Sequence, residues 1–343
     1  MDALRHGWPL AFEGGPVLLP VETATAPDAR APQMLISAAR AATLKLANQK
    51  EAAVPHAPVL IAGGEDFTLR DALPIADPAL DLGNPLKGPF KAVTLDWAET
   101  AAAALELARI AGILPAFMVD AEAAGEALPV AASDLAAYSQ AGRLRIVTRA
   151  RLPISACEDA EIVAFRSAAD LREHVALIIG KQNGDRQPLV RLHSECLTGD
   201  ILGSLKCDCG PQLDAALHAM AGEAANGDSG WGVLLYMRQE GRGIGLVNKL
   251  RAYRLQDQGF DTVEANQRLG LPDEARDFPV AARMLELLGA TTIRLLTNNP
   301  AKVRALEAAG ITVSERVPHQ LPENPHNARY LATKRDRSGH LLT

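Results

Sequence analysis

Three of the chain's four cysteines lie close together as Cys196-x10-Cys207-x-Cys209, while Cys157 stands apart. Three thiolates form a soft donor set suited to Zn²⁺. A structural zinc normally closes its shell with four protein ligands, whereas a catalytic zinc keeps one position for water and lowers that water's pKa toward about 7. On the cysteines alone three readings stand: a catalytic zinc on three sulfurs, a structural zinc completed by a fourth ligand such as His193, or three buried thiols. So few cysteines, so concentrated, point to metal or redox chemistry in a reducing compartment and not to a disulfide framework. Cys157 is expected to be a buried small apolar side chain.

Basic and polar residues cluster in the same half of the sequence. Arg191-Leu192-His193-Ser194-Glu195 runs directly into Cys196, and Arg238-Gln239-Glu240-Gly241-Arg242-Gly243-Ile244-Gly245 forms a glycine-rich loop after an apolar strand. Guanidinium groups offer fork-shaped donors that match phosphate. Thr297 and Lys302 flank Pro300, a residue suited to a first helical position, and the unpaired N–H groups of such a helix start favour an anion. The Gly241, Gly243, Gly245 spacing is not the G-x-G-x-x-G of a dinucleotide loop, and a Rossmann site is rejected. Thirty-five Lys and Arg against 41 Asp and Glu leave a formal charge of −6. That balance argues against coating nucleic acid or an anionic membrane, but a local basic site remains possible.

The elements that must carry these residues read as α/β. Gly232 to Met237 is a short apolar strand, Leu246 to Gln258 a helix closed by Gly259, Thr292 to Leu296 a strand, and Pro300 to about Ala309 a helix stopped by Gly310. A helix from about Gln212 places Leu213, Ala216, Leu217 and Met220 on one core face. In the first half, Ala98 to Ala111 is helical with Gly112 as its stop, followed by a buried strand over Ile113 to Val119. Glu99, Glu106, Arg109 and Pro115 interrupt that apolar stretch, so it does not read as a membrane span, and a soluble cytoplasmic protein is the expectation. A length of 343 residues suggests two domains. The shift from an Ala- and Pro-rich first half to a polar second half divides them as 1–155 and 156–343.

The ordered blocks around the cysteines carry a resemblance. Arg191 to Asp200, Ser204 to Gly210, Arg238 to Leu246, Asn248-Lys249, Arg251-Ala252-Tyr253, Asp261 to Asn266, Arg276-Asp277-Phe278 and Leu295 to Pro300 with Lys302 together resemble GTP cyclohydrolase II. The resemblance covers roughly residues 190–342. It implies a C-terminal mixed α/β domain that converts GTP to 2,5-diamino-6-ribosylamino-4(3H)-pyrimidinone 5′-phosphate, formate and pyrophosphate, the first step of riboflavin biosynthesis. It implies one Zn²⁺ per subunit on Cys196, Cys207 and Cys209, and Mg²⁺ with the triphosphate. It further implies a nucleotide site of Arg191, Leu192, His193, Ser194, Glu195, Gln212, Glu240, Gly241, Arg242, Thr262, Thr297 and Lys302. Arg276 would be the nucleophile on the α-phosphate, and Tyr253 a catalytic-site residue. Where the family places an aspartate two positions before the arginine, this chain has Glu274, with Asp273 beside it; Glu274 is taken as the proton acceptor and Asp273 as the alternative. The family habit suggests a homodimer, with neither nucleic acid nor membrane as partner.

The stretch from Thr100 to Val119 is similar to the late helix and strand of 3,4-dihydroxy-2-butanone 4-phosphate synthase. The expected acidic loop and Gly-His-Thr-Glu segment have no counterpart, since Phe12-Glu13-Gly14-Gly15-Pro16 and Glu99-Thr100-Ala101-Ala102 stand there. The first domain is therefore expected to be a synthase-like α/β domain without that activity. The rival expectations are a bifunctional enzyme, a non-catalytic nucleotide-binding scaffold, and the same ring opening in another pathway such as pyrimidine breakdown.

Overall fold

The computed structural model describes residues 1–122, 125–138, 141–167, 172–182, 186–225 and 230–342. Among these the chain forms two compact units, one of residues 1–137 with 243–275, the other of residues 138–242 with 276–343. The architecture is α/β in both, as expected. The units do not follow the expected division at 155/156. The strand Leu144–Arg151 pairs antiparallel with Ala160–Ser167 and so belongs to the second unit's sheet, and residues 243–275 return to the first unit.

In the first unit the strands are β1 (Leu10–Phe12), β2 (Val17–Pro20), β3 (Gln33–Ile36), β4 (Val59–Ala62), β5 (Ala92–Val93), β6 (Ala116–Val119) and β7 (Leu128–Val130). They form one sheet in the order β5-β4-β3-β6-β2-β1-β7. Its pairings are antiparallel except β1 with β7. The helix Ala98–Ala111 ends where expected, at Gly112 in the left-handed conformation (φ 79°). Its Ala101, Ala104, Leu105 and Ala108 are buried against Leu10, Leu18 and Phe117. The returning helices Leu246–Asp257 and Thr262–Arg268 join the other face's core. Ala252, Leu255, Ala265 and Leu269 pack with Leu19, Met34, Ile61 and Ile75, which is the physical reason this segment does not stay with its sequence neighbours.

The second unit holds β8 (Leu144–Arg151), β9 (Ala160–Ser167), β10 (His174–Ile179), β11 (Leu189–Ser194), β12 (Gly232–Met237), β13 (Thr292–Leu296) and β14 (Thr312–Val317). Their order is β14-β13-β11-β12-β10-β9-β8. The pairs β13–β14, β11–β13 and β11–β12 are parallel; β10–β12, β9–β10 and β8–β9 are antiparallel. The central strands are buried on both faces, so β12 reads as a nearly continuous apolar run, while β11 carries the buried Arg191 and His193 among its apolar residues. Val190, Leu192, Val233 and Leu235 pack with Ala281, Met284 and Leu285 of the helix Phe278–Leu287. Leu189 and Leu234, offset by one position, pack with Ala216 and Met220 of the helix Cys209–Ala225. Period-two alternation thus assigns each strand residue to one helical layer. No helix among the described residues is long and apolar enough to cross a membrane.

Phe165 on β9 has no solvent exposure and fills the core on one face of this sheet. Phe165→Ala is expected to destabilise the protein by about 3–5 kcal/mol in urea unfolding; a loss below about 1 kcal/mol would show that the site is not tightly packed.

Candidate active site at the carboxyl ends of the parallel strands

The strand alternation decides which side chains meet. On β11, Leu189, Arg191 and His193 share the face covered by the helix Cys209–Ala225. Arg191 therefore reaches Gln212 on that helix, whose Oε1 accepts from Nη2, while Nη1 donates to the Leu296 carbonyl at 3.0 Å. His193 is the register partner of Tyr236 on β12, and the two rings stack with centroids 5.5 Å apart.

Asp200 ties this face to the cysteines. Its carboxylate accepts from His193 Nε2 at 2.9 Å, from the Tyr236 hydroxyl at 2.9 Å and from the Cys196 N–H at 3.0 Å. Burial holds the His193 pKa below its ordinary value despite the neighbouring carboxylate, and Arg191 and Lys302 act in the same direction. The ring is neutral, with its proton on Nε2 facing Asp200. Its Nδ1 and the Arg191 Nε are buried without a hydrogen-bond partner among the described residues. These atoms lie on residues 3% and 7% exposed, where an unpaired polar group is costly.

The three cysteine sulfurs lie within 4.8 Å of one another, and Cys196 Sγ is 3.7 Å from Cys207 Sγ. Sulfurs about 2.3 Å from a tetrahedral zinc stand roughly 3.8 Å apart, so the donor set fits such an ion. Two glycines permit the approach. A Cβ on Gly199 would meet Cys207 Sγ at 2.9 Å and Cys196 Sγ at 3.1 Å, and one on Gly210 would meet the Gly199 carbonyl oxygen at 2.3 Å. Cys209 opens the helix Cys209–Ala225, where the helix dipole favours a thiolate. In the thiol cluster itself the hydrogen bond with Cys196 raises the Cys207 pKa, and the two neighbouring thiols push that of Cys209 well above the usual value. A divalent ion reverses that bias, because coordination replaces the protons. His193 is engaged with Asp200 and, among the described residues, is not grouped with the three sulfurs as the fourth ligand considered from sequence. Cys157 stands apart from the cluster and, contrary to the expectation of burial, is only half-buried, with its thiol 3.5 Å from the Asp159 carbonyl.

Loops after β12 and β13 complete the second unit's polar cluster. Glu240 is buried and accepts from the Leu197 N–H at 2.7 Å and the Gly241 N–H at 2.9 Å. Gly241 and Arg242 both take left-handed backbone (φ 62° and 61°), a strained setting for the arginine. Glu195 pairs with Arg238; burial nevertheless raises its pKa. Lys302 Nζ donates to the Leu192 carbonyl at 2.8 Å, and Asn299 caps the helix Pro300–Ala308. Thr297 is 2% exposed and its hydroxyl accepts from the Asn299 N–H at 3.0 Å. Arg276 stands 5.4 Å from the Phe278 ring, and Gln239 steadies its loop by accepting from the Asp277 N–H and donating to Ser194 Oγ.

The second unit thus gathers Arg191, Leu192, His193, Ser194, Glu195, Gln212, Glu240, Gly241, Arg242, Arg276, Thr297 and Lys302 with the three cysteines. Tyr253, Thr262 and Glu274 belong to the first unit. There Lys249 Nζ is 5.7 Å from the Tyr253 ring centroid, and the Thr262 hydroxyl accepts from Gln256. Reading the sequence did not single out Asp200, Tyr236, Gln239 and Asp208, which hydrogen-bond to candidate residues or to one another. Asp200 and Asp208 stood inside the quoted motifs, but nothing in their spacing showed which groups they would bind.

Thiols and buried cations assembled at the carboxyl ends of parallel strands define a class: an α/β enzyme that acts on an anionic ligand beside a soft-metal type of site. The sequence model of GTP cyclohydrolase II matches residues 145–318. The GTP cyclohydrolase-2 of Azospirillum brasilense is 44% identical over 325 residues, covering 91% of this chain and 82% of that protein. Its counterpart in Azotobacter vinelandii is 61% identical over 178 residues, 52% of this chain and 83% of the other. The riboflavin biosynthesis protein RibBA of Salinispora tropica is 54% identical over 201 residues, and the match spans 48% of that protein. A solved two-domain 3,4-dihydroxy-2-butanone 4-phosphate synthase from A. baumannii aligns over 93% of this chain and 98% of its own at 16% identity, with a TM-score of 0.31. The chain belongs to the GTP cyclohydrolase II family and is an enzyme of that kind.

His319 provides a pH test of this site's packing. Burial, aided by Arg191, lowers its pKa to about 4, against the opposing hydrogen bond to the Gln212 carbonyl. An unfolded histidine titrates near 6.5, so between about pH 6.5 and 4 the unfolded chain binds a proton that the folded chain refuses. Stability is present above that window and falls as the pH drops through it. His319→Gln is expected to shrink the loss of urea midpoint between pH 7 and pH 4.5; an unchanged loss would remove His319 from the account.

Proposed function

We propose that the enzyme hydrolyses GTP to 2,5-diamino-6-ribosylamino-4(3H)-pyrimidinone 5′-phosphate, formate and pyrophosphate, as the first step of riboflavin biosynthesis. The observation that carries this reading is the sulfur trio together with Arg191 Nε and His193 Nδ1, buried atoms with no hydrogen-bond partner among the described residues. Zn²⁺ is the ion the donor set suits, and Cys196, Cys207 and Cys209 would hold it. When bound it supplies a Lewis acid and a more acidic water for attack at C8 of the purine.

The chain's own groups would do the remaining work. Arg191, Arg242 and Lys302 neutralise the triphosphate, Mg²⁺ accompanying it, and Gln212, Thr297 and the backbone after β11 orient the nucleotide. A guanidine nitrogen of Arg276 attacks the α-phosphorus, a P–N bond forms, the bond to the bridging oxygen breaks, and pyrophosphate leaves. A guanidinium is a poor nucleophile until it loses a proton. Glu274, two positions earlier, is proposed as the acceptor, and Tyr253 as a residue that orients the substrate. Water then cleaves the P–N bond and returns the arginine.

The deciding experiment is incubation of the zinc-loaded protein with GTP, measuring formate, pyrophosphate and the pyrimidine product together. Binding without release of any of them would favour a non-catalytic scaffold. Cys207→Ser is expected to lose metal and formate release by at least about a hundredfold; a variant with normal metal content and formate output would contradict the assignment. Arg276→Ala is expected to abolish both products. Glu274→Gln should reduce turnover far more than Asp273→Asn, and full activity in both would show that neither carboxylate takes the proton.

A further inference from the structure

The segment that follows the family match at residue 318 is built into the polar cluster of the second unit. Asn298 Nδ2 donates to the His319 carbonyl, and Asn298 Oδ1 accepts from the His319 N–H. The Leu341 N–H donates to the Asn298 carbonyl at 2.8 Å. These bonds fasten both sides of the helix Ala328–Ser338 to the loop that carries Thr297. From that helix Lys334, 9% exposed, places Nζ 2.6 Å from Asp208 Oδ1 and 4.4 Å from the Tyr330 ring centroid.

Asp208 is 5% exposed and lies between Cys207 and Cys209. Its other oxygen accepts from Gln212 Nε2 at 2.7 Å, and Gln212 Oε1 accepts from Arg191. The Lys334 ammonium and the Gln212 amide N–H both donate to the carboxylate, and the Arg191 guanidinium donates to the amide oxygen. An amide can sit either way round, and this carboxylate decides which. Without Lys334 the carboxylate loses an anchor and a counter-charge, and can swing toward the Arg191 guanidinium in place of the amide.

We propose that Lys334 is a positioning residue of the nucleotide site, which acts through Asp208 to hold the Gln212 amide with its oxygen on Arg191. The C-terminal helix is then part of the site. The inference rests on the nucleotide-binding reading of Gln212 and Arg191 given above.

The test is a double-mutant cycle in the full-length, zinc-loaded protein, read by calorimetric binding of a GTP analogue with a methylene between the α- and β-phosphorus atoms. Lys334→Met is expected to weaken binding by about tenfold with zinc content unchanged. Adding it to Gln212→Ala should cost nothing further, since the group it positions is already gone. Additive losses, or loss of zinc from Lys334→Met, would overturn the proposal, the second by assigning the lysine to the cysteine cluster. If Lys334→Met does not fold, Asp208→Asn takes its place in the same cycle, with coupling to Gln212 again expected and additivity again fatal. A wild-type protein that binds the analogue but releases no formate from GTP would sink the function proposal and leave the cycle's answer on Lys334 standing. One that does not bind the analogue would sink both.

Discussion

Bringing three cysteine sulfurs within 4.8 Å of one another carries an electrostatic cost that a cation removes, and the local backbone is shaped around that constraint. The turn Leu197–Ile201 starts at Cys196, whose sulfur accepts from the Gly199 N–H, and Asp200 at the same turn accepts from the Cys196 N–H. Gly199 and Gly210 leave out the side-chain carbons that would force the sulfurs apart. The same Asp200 holds His193 Nε2 and the Tyr236 hydroxyl, so the cysteine turn and the stacked His193–Tyr236 pair share one carboxylate. A change at Asp200 would therefore be felt by both, which is why its energetic share cannot be read from any single contact.

The sheet explains why these groups are collected where they are. Parallel strands need covered faces, so β11 and β12 carry apolar side chains toward two helical layers, with Arg191 in mid-strand and His193, Ser194 and Tyr236 near the carboxyl ends. Arg191 and His193 occupy the face of the helix Cys209–Ala225, the helix whose first residue is itself a sulfur donor. The antiparallel strands β8 to β10 carry none of the candidate site residues.

Much of this was legible in the sequence, for local reasons. The strands Gly232–Met237 and Thr292–Leu296 and the helix Ala98–Ala111 occur with the expected bounds, because short, mainly apolar runs and a left-handed Gly112 are near-neighbour signals. The cysteine trio was legible because its spacing is short. What escaped depends on long-range pairing. Asp208 meets Lys334 across 126 positions, and no motif marks either residue as the other's partner. The expected boundary near residue 155 failed to match the compact units for the same reason: whether a helix such as Leu246–Asp257 stays with its neighbours depends on which core its apolar face finds.

That last point gives the first unit a physical task independent of any synthase chemistry. The helix Leu246–Asp257 is polar over much of its surface and buries only a narrow set, including Ala252 and Leu255; Thr262–Arg268 is about two turns long and buries Val263, Ala265 and Asn266. Helices this short gain little from propensity and depend on tertiary packing. Their apolar residues sit among Leu19, Met34, Ile36 and Ile61, and ion pairs reinforce the seat, with Arg251 on Glu22 at 3.0 Å and Arg268 on Asp81 at 3.5 Å. Tyr253 and Thr262 ride on those helices, and Glu274 follows them. With or without chemistry of its own, the first unit supplies the core on which this segment folds, and that burial is a sufficient physical reason for its apolar surface to be kept.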